Sequence, residues 1–364
     1  MKKRVILTGI ISLGLVFGMV LAGCDNGSTS GGTGGGTTGG TGGTTGGTGG
    51  GDSGDVYVAG WEYNGSGKQV ATVWKNGVAT SLSDGTKSGA AESVYVSGND
   101  VYVAGGDHNG STYVATVWKN GMATSLTDGT YEAHPYSVYV SGSDVYVAGR
   151  EYNGSKQVAK VWKNGAATSL SVGTNNAEAH SVYVSGGDVY AAGWENNGGG
   201  YSVATVWKNG AATSLTDGTK VTVAYSVYVS GGDVYVAGYE PNGYEPNGTS
   251  KQVATVWKNG AATSLSVSTY SALAYSVYVS GSDVYVAGYE YNGSKQVAKV
   301  WKNGVATNLS DGTNNAYARS VYVSGSDVYV AGDEANVAKV WKNGVATSLS
   351  DGTNRALAHS VYVK

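Results

Sequence analysis

The chain has 364 residues, a formal net charge of −3, one cysteine, and 28 Tyr and 9 Trp against a single Phe. One cysteine excludes a disulfide framework. With lysines spread along the repeats, one per unit in a recurring VWK string, there is no basic field of the kind that binds nucleic acid. At the start, Lys2, Lys3 and Arg4 precede an apolar run from Val5 to Leu21 that ends on small residues and Cys24. A run so closely tied to a cleavage site reads as an export signal over residues 1–23 and not as a membrane span.

The string LAGC ending at Cys24 resembles the lipobox of bacterial lipoproteins. That resemblance implies acylation of Cys24 and an exported protein tethered to the cell envelope, periplasmic or surface-exposed, that touches membrane through its lipid alone. From Gly27 to Gly51 every residue is Gly, Ser or Thr. Such a composition cannot bury enough apolar surface to offset the entropy of ordering, so residues 24–54 are expected to be a lipidated cysteine and a flexible tether.

Residues 55–364 are a repeat array. The string VWKNG recurs at Trp74, Trp118, Trp162, Trp207, Trp257, Trp301 and Trp341, at spacings of 44, 44, 45, 50, 44 and 40 residues. Each unit holds four short segments rich in Val, Tyr, Thr and Trp, punctuated by Gly, Asn, Asp and Ser. In the second unit they are SVYV at Ser93–Val96, DVYVAG at Asp100–Gly105, YVATVW at Tyr113–Trp118 and MATSL at Met122–Leu126. All four are predicted strands. A period in the low forties filled by four strands is the signature of a propeller blade, so the fold class is all-β: seven blades of four antiparallel strands. Asn-Gly in KNG marks a type I′ hairpin, and SGND, SGSD or SGGD marks a second tight reversal. The array starts on a second segment at Asp55 and stops on a lone first segment at Ser360–Val363, which predicts that the last strand completes the first blade and closes the ring. Both chain ends then lie opposite the longer connections, and a monomer is expected.

The chain here resembles the β-propeller superfamily, and within it bacterial propellers of nearly identical blades. The Gly-His and Trp-Asp marks of WD40 blades and the Gly-Gly doublet of kelch blades are missing. The resemblance implies architecture, and function has to be argued from the loops.

Differences among the units fall in three sets. After VAG come Trp61, Gly106, Arg150, Trp194, Tyr239, Tyr289 and Asp333; before SVYV come Glu92, Tyr136, His180, Tyr225, Tyr275, Arg319 and His359. Two positions earlier stand Ala90, His134, Glu178, Val223, Leu273, Tyr317 and Leu357. All three sets are expected in the second-to-third and fourth-to-first connections, at one end of the blades. Trp, Tyr and Arg on loops of a rigid scaffold are binding-surface chemistry. The candidate ligand-binding residues are therefore Trp61, Arg150, Trp194, Tyr239, Tyr289, Asp333, all seven residues before SVYV, and His134, Glu178 and Tyr317. An acidic residue recurs at Glu62, Asp107, Glu151, Glu195, Glu240, Glu290 and Glu334, expected to accept hydrogen bonds from backbone N–H groups of its own loop rather than to ring a cation.

No GxSxG, HExxH or CxxC string occurs, and no catalytic residue, metal or cofactor is assigned. The expectation is an envelope binding module for a protein, a glycan or another surface ligand. The alternatives are a carbohydrate-active enzyme using His180 and Glu178, and a surface-coat protein with no specific ligand.

Overall fold

A computed structural model describes residues 54–364 apart from 268; the export signal, Cys24 and most of the tether lie outside the described residues. Twenty-eight strands form seven four-stranded antiparallel sheets. Blade II is typical, with an inner strand Gly89–Ser97, a second Asp100–His108, a third Tyr113–Lys119 and an outer strand Met122–Ser125. Blades are numbered here by their VWKNG tryptophans, so blade I holds Trp74 and blade VII Trp341. Blade I takes its inner strand, Ala356–Val363, from the far end of the chain. Val56 pairs with Val363 and Val58 with Val361, and Lys364 N–H donates to the Asp55 carbonyl at 3.0 Å, which is the expected closure.

Two belts tie the inner strands together. The serine of each SVYV accepts the backbone N–H of the first valine of the next blade's SVYV, from Ser360 to Val94 N and onward to Ser320 and Val361 N, at 2.8 to 3.2 Å across all seven junctions. These serines are fully buried, so each bond also satisfies a donor that would otherwise lack a partner. The tyrosines of SVYV form a closed ring, Tyr95, Tyr139, Tyr183, Tyr228, Tyr278, Tyr322 and Tyr362, with centroids 4.9 to 5.1 Å apart. The valines of the same strands point the other way into the blade interfaces, where the seven VWKNG tryptophans are buried. Both faces of each inner strand are apolar because each sheet is packed between two others.

The KNG turns are type I′ as expected, with φ of 51° at Asn76 and 83° at Gly77 and closely similar values in the other six. On that edge the asparagine amide donates to the aspartate of SGSD-type turns, Asn76 to Asp55 at 2.7 Å, and the preceding lysine pairs with the same aspartate at 2.7 Å. Lys75 also sits 5.3 Å from the Tyr57 ring centroid. The set repeats in every blade, which makes this face uniform. The C-terminal Lys364 donates to Asn99 in the SGND turn of blade II, while the opposite end of blade I joins Tyr63 N–H to the Arg355 carbonyl. The first and last described residues therefore lie on the uniform face and the variable residues on the other.

One sequence expectation needs correcting. The variable residues flanking SVYV and VAG are not in connections; they belong to strands that continue past both motifs. The inner strand of blade II starts at Gly89, and the second runs to His108. Between inner and second strand the register slips once in every blade, skipping Glu92, Tyr136, His180, Tyr225, Tyr275, Arg319 and His359. These are β-bulges, which re-aim the extra side chain and bend the strand. The glycine of each VAG faces this bend: a Cβ on Gly60, Gly105, Gly149, Gly193, Gly238, Gly288 or Gly332 would lie 1.9 to 2.2 Å from an inner-strand carbonyl oxygen. Bulge and glycine are one device, repeated seven times.

Candidate functional site

The seven bulge side chains form a ring above the tyrosine belt, and all seven are buried. Tyr136 meets His180 edge-on at 5.2 Å, His180 stacks on Tyr225 at 5.3 Å, and Tyr225 meets Tyr275 at 5.4 Å. Across the junction of blades I and II, His359 Nδ1 lies 2.6 Å from Glu92 Oε2. The other two variable sets form a tier above this ring and are directly paired across strands. Trp61 faces Leu357, Gly106 Ala90, Arg150 His134, Trp194 Glu178, Tyr239 Val223, Tyr289 Leu273, and Asp333 Tyr317. Where blade II carries its smallest pair, the space beside Gly106 is occupied by Tyr113 and His134.

The upper tier divides into three sectors. Over blades III and IV the Arg150 guanidinium bonds the Tyr136 hydroxyl at 2.9 Å and both Glu178 and Glu132 at 3.2 Å. Glu132 also takes His134 Nε2 at 2.8 Å, and Glu178 takes His180 Nε2 at 2.9 Å. Burial alone would raise the Glu178 carboxyl, but the His180 bond and the nearby Arg150 charge outweigh it and hold it below the ordinary carboxylate range. The His180 Nδ1 faces the Ala224 carbonyl at 3.2 Å, so both ring nitrogens are engaged within the protein. Over blades IV to VII an aromatic arc packs Tyr225, Tyr239 and Tyr275 with Trp194, Tyr289 and Tyr317. Burial pushes the Tyr239 hydroxyl up to about 12. Over blade VII, Arg319 Nε donates to Asp333 Oδ1 at 2.8 Å, with both side chains buried, and the guanidinium lies 5.1 Å from the Tyr317 centroid.

The recurring acidic residue behaves differently from expectation. Glu151, Glu290 and Glu334 pair with Lys160, Lys299 and Lys339 on the neighbouring third strand, at 3.1, 2.7 and 2.5 Å. Those lysines stand where the other blades have threonine. Glu240 instead accepts the indole N–H of Trp257 at 2.9 Å. Backbone bonding within the loop is therefore not the shared task; these four carboxylates each take a donor from the third strand, beside which the hairpin places them. Among the described residues no group of three or more His, Cys, Asp or Glu is arranged to hold a metal.

Two units depart most in length, and each departure has a cavity beside it. Blade V is the long one: its second and third strands, Asp233–Tyr244 and Ser250–Lys258, extend past those of other blades. A cavity of about 420 Å³ lies against them, between Tyr201, Lys220, Tyr239 and Tyr244. Blade VII is the short one, where the six residues Tyr291–Gln296 of blade VI are reduced to Ala335-Asn336. This two-residue turn has φ of 51° and 68°, a conformation costing roughly 1–2 kcal/mol for an alanine. Without the longer hairpin a cleft of about 710 Å³ opens over blade VII.

The cleft gathers seven sequence-predicted residues, Trp61, Tyr289, Tyr317, Asp333, Arg319 and His359, with Tyr275 in its floor. It leaves out Arg150, Trp194, Tyr136, His134, Glu178, His180, Tyr225, Tyr239 and Glu92, which belong to the other sectors or support the ring. Trp61 is itself nearly covered, with Arg355 lying 5.5 Å from its ring centroid. Sequence reading placed Arg355 on the variable face without naming it as ligand-binding, and did not single out Lys295 or the carboxamides Gln69, Gln296, Asn314, Asn315 and Asn336 that complete the lining. The signal that could have found them is the shortened repeat, since a hairpin absent from one blade uncovers whatever flanks it.

No protein-family model matches the chain, and no curated protein matches it. Solved structures do resemble it. A Mycobacterium tuberculosis puromycin-hydrolyzing peptidase aligns at 12% identity with a TM-score of 0.54, over 81% of this chain and 51% of that one. The β-propeller domain of the Trilobed protease from Pyrococcus furiosus aligns at 8% identity and a TM-score of 0.48, over 83% and 96%. Pyrococcus horikoshii acylaminoacyl peptidase aligns at 10% identity and 0.49, over 81% and 51%. The chain spans about half the length of the two whole peptidases. At such identities the likeness concerns fold, and with seven blades of four strands around a closed inner belt the protein is a seven-bladed β-propeller.

Proposed function

We propose that the protein is a non-enzymatic binding module, lipid-anchored to the cell envelope through Cys24, that takes its ligand on the variable face. The observation that carries this reading is the open cleft over blade VII, about 710 Å³ in volume and built on a buried floor. A cavity of that size lies within the range of small-molecule and saccharide sites. Its floor is held by packed rings and the Arg319–Asp333 pair, so the site is preorganised and little ordering entropy is lost on binding. An enzyme working through His180 and Glu178 would need an imidazole nitrogen turned toward substrate, and both nitrogens of His180 already meet protein acceptors. A lipid at Cys24 would hold the uniform face toward the membrane, because the folded chain starts there, and would present the cleft outward.

The test is a binding screen of the protein against glycan panels and cell-surface extracts, repeated with Tyr289→Ala plus Tyr317→Ala. Aromatic anchors of this kind each contribute on the order of 1–2 kcal/mol or more, so the double variant should lose binding while retaining the parent's circular dichroism and melting. Undiminished binding would remove the loop face as the site.

A further inference from the structure

The chemistry of the blade VII cleft narrows its ligand. We infer that it binds an acidic saccharide, a pyranose chain carrying a carboxylate or sulfate; this rests on the loop-face reading proposed above and deepens it. Three observations converge.

The first is charge. The buried Arg319 is balanced by Asp333 at 2.8 Å. Arg355, by contrast, is exposed at the rim, and among the described residues no carboxylate lies within ion-pair distance of its guanidinium or of the Lys295 ammonium across the cleft. The lysines of the VWK strings and Lys160, Lys299 and Lys339 all have an acid partner; the two cations facing this cleft do not. The cleft is thus locally positive on a chain of net charge −3. A planar guanidinium matches the geometry of a carboxylate or sulfate.

The second is the polar lining. Five carboxamides, from Gln69, Gln296, Asn314, Asn315 and Asn336, surround the opening. Each offers donors and an acceptor in one plane, the complement of vicinal hydroxyls, which both donate and accept. Among the lining residues only Leu357 and Ala335 are aliphatic, so the cleft lacks the apolar pocket that a protein anchor residue would fill.

The third is the aromatic wall. Tyr289 and Tyr317 meet edge-on at 5.3 Å and are half-buried, leaving part of each ring toward the cleft. Such rings bury the apolar C–H face of a sugar while the amides address its hydroxyls.

The test uses full-length protein solubilised in mild detergent, titrated calorimetrically with a uronic acid tetrasaccharide and with its carboxyl-reduced neutral counterpart. The acidic form should bind at least tenfold more tightly at low salt, and the difference should shrink as salt rises. Arg355→Ala should weaken the acidic form about tenfold and leave the neutral form unchanged; Arg355 is exposed, so the variant keeps its fold. A second variant replaces Ala335-Asn336 with the six-residue YNGSKQ hairpin of blade VI, which refills the cleft with a segment the fold already accommodates, and should abolish binding of both. Equal affinity for the two sugars, or indifference to Arg355→Ala, overturns the acidic-saccharide assignment while leaving the loop-face reading intact, provided the hairpin graft still abolishes binding. Binding that survives the graft overturns both. Failure of the acidic sugar to bind at millimolar concentration also overturns the assignment.

Discussion

The glycine of VAG is the position where a single methyl group tests the whole construction. In Gly288→Ala the new Cβ would lie 1.9 Å from the Leu273 carbonyl oxygen, 2.9 Å from its carbon and 3.0 Å from Cζ3 of the buried Trp301. Carbon and oxygen in contact stand about 3.3 Å apart, so the inner strand must retreat by more than an ångström. It cannot do so freely, because Tyr275 is fixed in its ring by Tyr225 and Ser276 receives the Val321 N–H at 3.1 Å. Overpacking of well-filled cores costs roughly 1–3 kcal/mol; with backbone on the receiving side, the top of that range applies, about 3 kcal/mol. For a domain of roughly 310 residues the unfolding entropy is about 0.65 kcal/mol per degree, so the melting temperature should fall about 5 °C. Gly65→Ala is the matched control, since a Cβ there meets nothing within 4 Å and the residue is not in the left-handed region; it should melt within a degree or two of the parent. Scanning calorimetry of both variants decides. A Gly288→Ala protein that melts like Gly65→Ala would mean that the carbonyl is not pinned by the bulge, and the account of the ring's construction would fail.

Deleting residues 360–364 removes the strand that Val56–Ala59 pair with and leaves an open sheet edge, so the truncated protein should aggregate or melt far below the parent; a monomer with unchanged melting would refute closure. Glu178 is held below the ordinary carboxylate range, so its stabilisation is present above the unfolded-state pKa and is lost as pH falls through the lower folded value. Glu178→Gln should accordingly cost about 3 kcal/mol in urea unfolding at pH 7, by leaving Arg150 and His180 short of a counter-charge, and distinctly less at pH 3; an equal loss at both pH values would exclude the electrostatic cause. Cys24→Ser should abolish lipid attachment, read as loss of the acyl mass and release of the protein from the membrane fraction; retention on membranes would remove the anchor proposal.

Sequence periodicity carried the architecture because each strand, hairpin and closing segment is spelled seven times. Asn-Gly at Asn76-Gly77 demands positive φ, and the Val/Tyr alternation of SVYV states which faces are packed. The limit came one residue upstream of that motif. A bulge inserts an unpaired residue, so alternation breaks at Glu92 in blade II and its counterparts, and a strand that continues to Gly89 looks as though it stops at Ser93. Trp61 looked like an exposed anchor for a similar reason: nothing in its own segment reveals that Arg355, from the far end of the chain, lies over it. The acidic positions misled because a carboxylate at a hairpin suggests local backbone bonding. Their partners are Lys160, Lys299 and Lys339 on the next strand, visible in sequence only as replacements of threonine.

Repetition also lets the units be compared position by position. Neutral drift in units with identical packing demands should alter exposed positions and spare buried ones, because buried substitutions are the costly ones. Most buried positions do stay constant, the VWKNG tryptophans among them, but the seven bulge positions do not: all are buried, yet they carry Glu, Tyr, His, Arg and three further aromatic or imidazole rings, while the exposed outer strands stay nearly constant as VATS, MATS, AATS or VATN. The buried replacements come with partners. Arg319 arrives with Asp333, and Glu92 with His359 of the preceding blade. Substituting one member of such a pair alone would leave an uncompensated buried charge at a cost of about 3–5 kcal/mol, so each partner constrains the other. Paired charges buried beneath one face, with a longer hairpin in blade V and a shorter one in blade VII beside the two cavities, set that face apart from the uniform one and are the features on which the proposed binding role rests.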